Sequence, residues 1–230
     1  MADPESPSRE DATTSVVAVG ARAVYDAIAP AYDRQLGNEL ERKPLDRGLL
    51  DAFAALTGSG PIADVGCGPG HVTRFLALRH PAVFGLDLSP GMIAVTRSRA
   101  PELPWLVGSM LRLPVADGAL AGVLALYSII HLSDEERTFA SREFARTTRP
   151  GGWLLVAFHV DSDEFARGEV NHLTSWFGAR VELDGHFLEP DGVVAEVEEA
   201  GFEAMAKLER QPDPEVEYPS RRCYLLARRR

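Results

Sequence analysis

The chain has 230 residues, 45% hydrophobic and 25% charged, an ordinary balance for a folded domain with a buried core. Its formal net charge of −10 works against nucleic acid as a main partner, because a phosphate backbone is bound by surplus Lys and Arg. Two cysteines, Cys67 and Cys223, supply neither a disulfide framework nor a zinc site, and no stretch approaches a membrane span, so a cytoplasmic monomer or homodimer is expected.

Residues 1–14 are rich in Pro, Ser and charge without apolar periodicity, which predicts a disordered tail. Residues 15–58 read as an N-terminal helical cap. Val24, Ile28, Tyr32 and Leu36 recur at helical spacing, with Pro30 expected to end or kink the helix. A second helix opens at Pro44, sets Leu45, Leu49, Phe53 and Leu56 on one face and stops at Gly58. From residue 59 onward strands and helices alternate. Strands are predicted at 61–65, 83–88, 105–107, 121–127 and 153–159, and Ser89 and Ser133 each open a helix. Residues 160–189 form an insert, with a hairpin turn expected at Asp184-Gly185. A helix over 190–200 and strands over 202–208 and 222–227 complete the chain. The fold class is therefore α/β: a doubly wound, mostly parallel seven-stranded sheet with helices on both faces, occupying 59–230.

Between the first predicted strand and its helix lies Asp64-Val65-Gly66-Cys67-Gly68-Pro69-Gly70. Glycines there let the backbone turn tightly and approach a ligand at a helix N-terminus. Asp87 ends the next strand, at the spacing where an acid meets a pair of ribose hydroxyls. The dinucleotide pattern Gly-x-Gly-x-x-Gly is not completed, since the sixth position is His71 counted from Gly66 and Thr73 counted from Gly68. Asp64 inside the loop would repel a pyrophosphate and welcome a cation, which favours a sulfonium or ammonium ligand over a nicotinamide dinucleotide.

Asp64 to Gly70 resembles motif I of class I S-adenosylmethionine-dependent methyltransferases. Gly85-Leu86-Asp87-Leu88-Ser89-Pro90-Gly91-Met92 is similar to that family's acidic loop, and Arg149-Pro150-Gly151-Gly152 and Tyr25-Asp26-x-x-Ala29-x-x-Tyr32-Asp33 match further segments. The likeness covers about residues 20–160. It implies S-adenosylmethionine as cofactor, with Gly66, Gly68 and Gly70 as backbone floor and Asp64 beside them. Asp87 and Leu88 would lie at the ribose, and Met92 near the adenine. Tyr25 and Tyr32 would close over the methionine part. Ser109 and Met110 stand where the family commonly has Gly-Asp-x, so adenine recognition would rest on backbone and Met110.

Ligands of open α/β sheets sit at the carboxyl ends of the strands. Tyr127, His131 and His159 follow the fourth and fifth strands and are the candidate catalytic groups, a histidine being suited to accept a hydroxyl proton near neutral pH. His131 reads equally as a brace at a helix start, and Tyr127 as packing or a cofactor contact. Trp176, Phe177 and His172 are the candidate wall of an apolar acceptor pocket, the alternative being a surface decoration or dimer contact. Asp161 and Asp163 alone do not make a metal site, and none is expected. The function expected is methyl transfer to a small-molecule acceptor, at O, N or C. Its rivals are a nicotinamide-dependent oxidoreductase and a non-catalytic cofactor-binding protein on the same fold.

Overall fold

Strands whose residues are apolar on both sides demand cover on both faces, and that requirement organises the molecule. A computed structural model of the chain describes residues 18–230, so the tail expected over 1–14 lies outside the described residues. In chain order the elements are β1 (Ala18–Val19), α1 (Gly20–Leu36), a 3₁₀ turn (Glu39–Arg42), α2 (Pro44–Thr57), β2 (Ile62–Val65), α3 (His71–Ala77), β3 (Val83–Asp87) and α4 (Pro90–Arg99). They continue with β4 (Trp105–Val107), β5 (Leu120–Leu126), a 3₁₀ turn (Ile129–His131), α5 (Asp134–Thr147) and β6 (Thr148–Ser162). The last are β7 (Val170–Trp176), β8 (Ala179–His186), α6 (Pro190–Glu199), β9 (Phe202–Arg210) and β10 (Ser220–Arg229).

Seven strands form one sheet in the order β4-β3-β2-β5-β6-β10-β9. All neighbours from β4 to β6 are parallel, whereas β10 runs antiparallel to both β6 and β9. Alternate side chains feed opposite layers. Val123, Ala125, Val156 and Phe158 join Phe144, Val193 and Val197 on one face, while Leu124, Leu155 and Ala157 join Leu50, Phe53 and Leu76 on the other. At Gly122 a Cβ would come within 2.8 Å of the Phe53 ring, so the bare backbone of β5 is what lets α2 pack so close. The chain turns from one side of the sheet to the other between β2 and its neighbour β5, which opens a crevice at their carboxyl ends.

Caps fall where the sequence places them. Ser89 accepts the Met92 N–H at 3.0 Å ahead of Pro90, and Ser133 with Glu136 forms a capping box. One helical expectation is narrowed and another corrected. Of the two outcomes expected at Pro30, the helix does not end there: α1 runs through it to Leu36, with Pro30 on the exposed face, where water can satisfy the freed carbonyl. The inward face of α2 is Asp46, Leu50, Phe53, Ala54 and Thr57, and Leu45 and Leu56 point to solvent.

The insert is ordered as a hairpin. β7 and β8 pair antiparallel, and β8 pairs in parallel with β1, giving a second sheet β1-β8-β7. Its turn is Phe177-Gly178, with φ of 47° and 79°, the handedness of a type I′ connection. The turn expected at Asp184-Gly185 is therefore wrong: those residues lie inside β8, opposite His172 and Asn171. Val181 and Leu183 of β8 pack with Val24, Ile28 and Ala29 of α1, so the cap helix and the hairpin make one layer.

Candidate active site

Gly66, Gly68 and Gly70 all have positive φ, of 74°, 52° and 75°. A Cβ at Gly66 would strike Ser128, and one at Gly70 would meet the Trp105 ring at 2.6 Å. At Gly68 the nearest atom would be a Tyr32 ring carbon at 4.0 Å. Two of the glycines thus serve packing, and the third faces open space.

That space is a cavity of about 350 Å³ at the switch point, lined among others by Tyr25, Tyr32, Asp64, Gly66, Gly68, Asp87, Leu88, Ser109, Met110 and Tyr127. The Asp87 carboxylate accepts the Gly68 N–H and the Ser89 N–H, each at 2.8 Å, which ties the end of β3 to the loop after β2. Burial pushes its pKa up against those two bonds. Asp64 is buried beneath the loop and accepts from the Thr73 hydroxyl at 2.6 Å; burial raises its pKa to about 6. Ser128 donates to the Val65 carbonyl at 3.0 Å and clasps the ends of β2 and β5. Met92 lies elsewhere. Its side chain is fully buried between α4, α1 and β8 and forms no part of the cavity wall, because its position on α4 faces the cap helix.

A second cavity of about 310 Å³ adjoins the first, with Tyr25, Tyr32, Glu39, Tyr127 and His131 common to both walls. Trp176 and Phe177 line it and close on the cap tyrosines, Trp176 standing 5.7 Å from Tyr25 and 5.8 Å from Tyr32 between ring centroids. His172 does not reach it. Pleating turns that side chain outward, where it is 74% exposed and bonds Asp184 Oδ1 at 2.6 Å.

The three candidate catalytic groups separate clearly. His131 Nδ1 lies 2.7 Å from the Asp184 carbonyl and Nε2 lies 2.7 Å from the Tyr25 hydroxyl. A carbonyl only accepts, so Nδ1 carries the hydrogen and, in the neutral ring that burial favours, Nε2 accepts from Tyr25. His131 is a brace between α1 and β8 with no nitrogen to spare. Tyr127 has φ 54°, a strained conformation for a non-glycine residue. Its hydroxyl lies 2.8 Å from that of Tyr224, which donates to Asp46 at 2.7 Å, so it is committed inward. His159 Nδ1 bonds Ser220 Oγ at 2.6 Å, and its Nε2 has no protein partner among the described residues. Burial, then the Arg222 charge, lowers its pKa to about 3, so the ring is neutral near pH 7. Of the three, His159 alone offers a free atom to the second cavity.

Sequence reasoning missed the ion pairs behind this cavity. Lys43 meets Glu39 at 2.7 Å and Glu217 at 3.6 Å; Arg222 meets Glu217 at 3.4 Å. Burial works to raise the Glu39 pKa, but bonds and charges from His71 and Lys43 hold it at about 2. Arg210 joins Glu217 at 2.6 Å and Asp46 at 3.0 Å. No periodicity or motif links residues so far apart. Among the described residues no group of three or more His, Cys, Asp or Glu side chains is placed to hold a metal, and no helix is long and apolar enough to cross a membrane.

Residues 62–152 match the family model described as a methyltransferase domain. A malonyl-[acyl-carrier protein] O-methyltransferase of Serratia marcescens is 32% identical over 57% of this chain and 52% of that protein. The chain thus spans about half the length of this curated relative. Among solved structures, a SAM-dependent methyltransferase of Methanosarcina mazei superposes with a TM-score of 0.66 at 15% identity, covering 77% of this chain and 96% of the other. The [4+2]-cyclase SpnF superposes at 0.71 with 19% identity, covering 94% and 98%. At these identities the structural likenesses speak for the fold. The glycine loop and the acid ending β3 both lie inside the segment that matches the methyltransferase-domain model, and the strand order β4-β3-β2-β5-β6-β10-β9 belongs to a fold the chain shares with these solved structures.

Proposed function

We propose that the chain transfers a methyl group from S-adenosylmethionine in the first cavity to a small-molecule acceptor in the second. The observation that carries this reading is the pair of adjoining cavities, one floored by the glycine loop and Asp87, the other walled by the cap and the hairpin. The residues present suit that cofactor. The space over Gly68 is what a Cβ would fill, the Asp87 carboxyl stands at the rim for ribose hydroxyls, and buried Asp64 gives the floor a negative character suited to a sulfonium. Bound there, the cofactor supplies a carbon already activated for displacement.

The chain's own part is orientation and exclusion of water. Asp87 and the loop amides hold the ribose and amino-acid ends, Tyr25 and Tyr32 cover them, and Trp176 with Phe177 shuts the acceptor side. His159 Nε2 is the one candidate catalytic atom free to meet an acceptor, and with its pKa held at about 3 it orients a hydroxyl by hydrogen bonding without taking its proton. A cytoplasmic monomer or homodimer belongs to the same proposal.

A second reading has one observation in its favour: the fold superposes well on a cyclase, so the cavities could serve another reaction on a similar acceptor. Calorimetric titration with S-adenosylhomocysteine, with NAD in parallel, tests the cofactor half. Incubation with methyl-labelled donor and an acceptor panel tests the transfer. Cofactor binding without label transfer to any acceptor in the panel favours the second reading, and NAD binding in place of S-adenosylhomocysteine overturns both.

A further inference from the structure

The ionised side chains lining the second cavity are Glu39, Lys43, Glu217 and Arg222. Each is engaged with another: Lys43 with both glutamates, Arg222 with Glu217. Arg210 and Asp46, just behind, extend the same set, so three cations face three carboxylates. Arg222 further spends its guanidinium on the Ser220 and Tyr218 carbonyls, at 2.7 and 3.0 Å. Apart from the buried Nε of Arg222, the wall groups left without a protein partner among the described residues are different in kind. They include the Tyr32 hydroxyl, His159 Nε2, the Asn171 carboxamide and the His186 ring. Burial lowers the pKa of both histidines and raises that of Tyr32, which keeps all three uncharged.

Shape points the same way. Tyr25, Tyr127, His159, Trp176, Phe177 and Phe187 present ring faces and edges to the space, with Tyr127 and His159 tilted at 33° and 5.1 Å apart. Aromatic rings so disposed suit a flat guest held by offset and edge contacts. A charged guest would lose its hydration and find each counter-ion of the wall already in an ion pair, with the Arg222 Nε–H as the unpartnered donor, a cost that a neutral guest avoids.

We infer that the acceptor is an uncharged, flat, ring-bearing molecule, held by these aromatics and by neutral hydrogen bonds centred on His159, and that carboxylate and ammonium acceptors are rejected. This rests on the acceptor site proposed above and assigns its chemical class.

The test is a titration of the protein, with S-adenosylhomocysteine present, against three probes of one shape: 2-naphthol, 2-naphthoate and 2-naphthylmethylammonium. Quenching of Trp176 fluorescence, identified by comparison with Trp176→Phe, reports occupancy. The naphthol is expected to bind at least tenfold tighter than either ion. Glu39→Gln, which leaves Lys43 with one fewer carboxylate, is expected to narrow the gap between naphthol and naphthoate by roughly tenfold. Equal or tighter binding of naphthoate or of the ammonium to the wild-type protein overturns the inference, as does failure of the naphthol to bind. S-adenosylhomocysteine affinity is read in a separate titration, so failure of the methyl-donor reading shows there and not in the probe ranking.

Discussion

The floor of the first cavity comes from one short stretch of chain: the loop over 66–70 and the carboxylate of Asp87, joined by the Gly68 N–H at 2.8 Å. The second cavity gathers Tyr25 and Glu39 from the cap, His159 from β6, Trp176 from the end of β7, Phe177 from the hairpin turn, and Arg222 from β10. One relies on backbone geometry dictated by glycines at positive φ; the other relies on side chains brought together by tertiary packing. A backbone site has little freedom to vary, because each amide is fixed by the strands that hold it. A side-chain site can be rebuilt residue by residue while the sheet beneath stays the same. The division suits a fold that keeps one cofactor and changes acceptors.

That contrast can be broken most sharply at Gly68. Gly68→Val is expected to weaken S-adenosylhomocysteine binding by roughly a hundredfold, about 3 kcal/mol, since the new side chain fills the space above the loop. Only the strain of a branched residue at positive φ, about 1–3 kcal/mol, falls on stability. Calorimetry together with thermal unfolding checks both. Equal affinity would mean that the loop is only a turn.

Asp87→Asn is expected to cost about 1.5–3 kcal/mol of cofactor affinity, the range for a hydrogen bond to a charged group. Acceptor-probe binding should change far less. If both affinities fall together, the two cavities are not separable and the comparison fails.

His159 sharpens the comparison through pH. Its folded pKa of about 3 lies below the ordinary value of about 6.5. The unfolded chain therefore takes up the proton first, and the fold loses stability as pH falls from about 6.5 toward 3. Asp64, raised to about 6, acts in the opposite sense, gaining for the fold as pH falls through that value. Asp64 is common to the wild type and His159→Gln and cancels in their difference. The stability difference between the two should change by about 1.4 kcal/mol per pH unit between about pH 6 and 4, as read from urea unfolding. Parallel curves would show that His159 is not held neutral by burial.

The smallest effect belongs to His172. His172→Ala breaks an exposed pair with Asp184 and should leave both affinities unchanged and stability within about 0.5 kcal/mol. A larger loss of acceptor-probe binding would draw the hairpin's outer face into the site.

Most of the sheet was legible because its causes are local. Buried runs such as Ile62–Val65 and Leu120–Leu126, the Ser89 and Ser133 caps and the glycine loop each announce themselves within a few residues. The insert was not. Its turn uses Phe177 where Asn or Asp is usual, while Asp184-Gly185, a strong turn signal, sits extended in β8. Tertiary pairing with β1 overrides that signal. The inner face of α2 was misread because Asp46 points inward: it holds Tyr224 and Arg210, partners more than 160 positions away. Met92 and His172 share that origin, since their neighbours come from α1 and from the pleat of the hairpin.

The parallel pairing of β1 with β8 bears on both cavities. It stitches the start of the cap to the hairpin, and the Tyr25–His131–Asp184 chain rivets the same two elements a second time. Tyr25 and Tyr32 wall both cavities, so neither can be unroofed alone. A movement of the cap that displaces these two rings therefore changes the walls of both cavities at once. Cutting the rivet with Tyr25→Phe would loosen both walls in step.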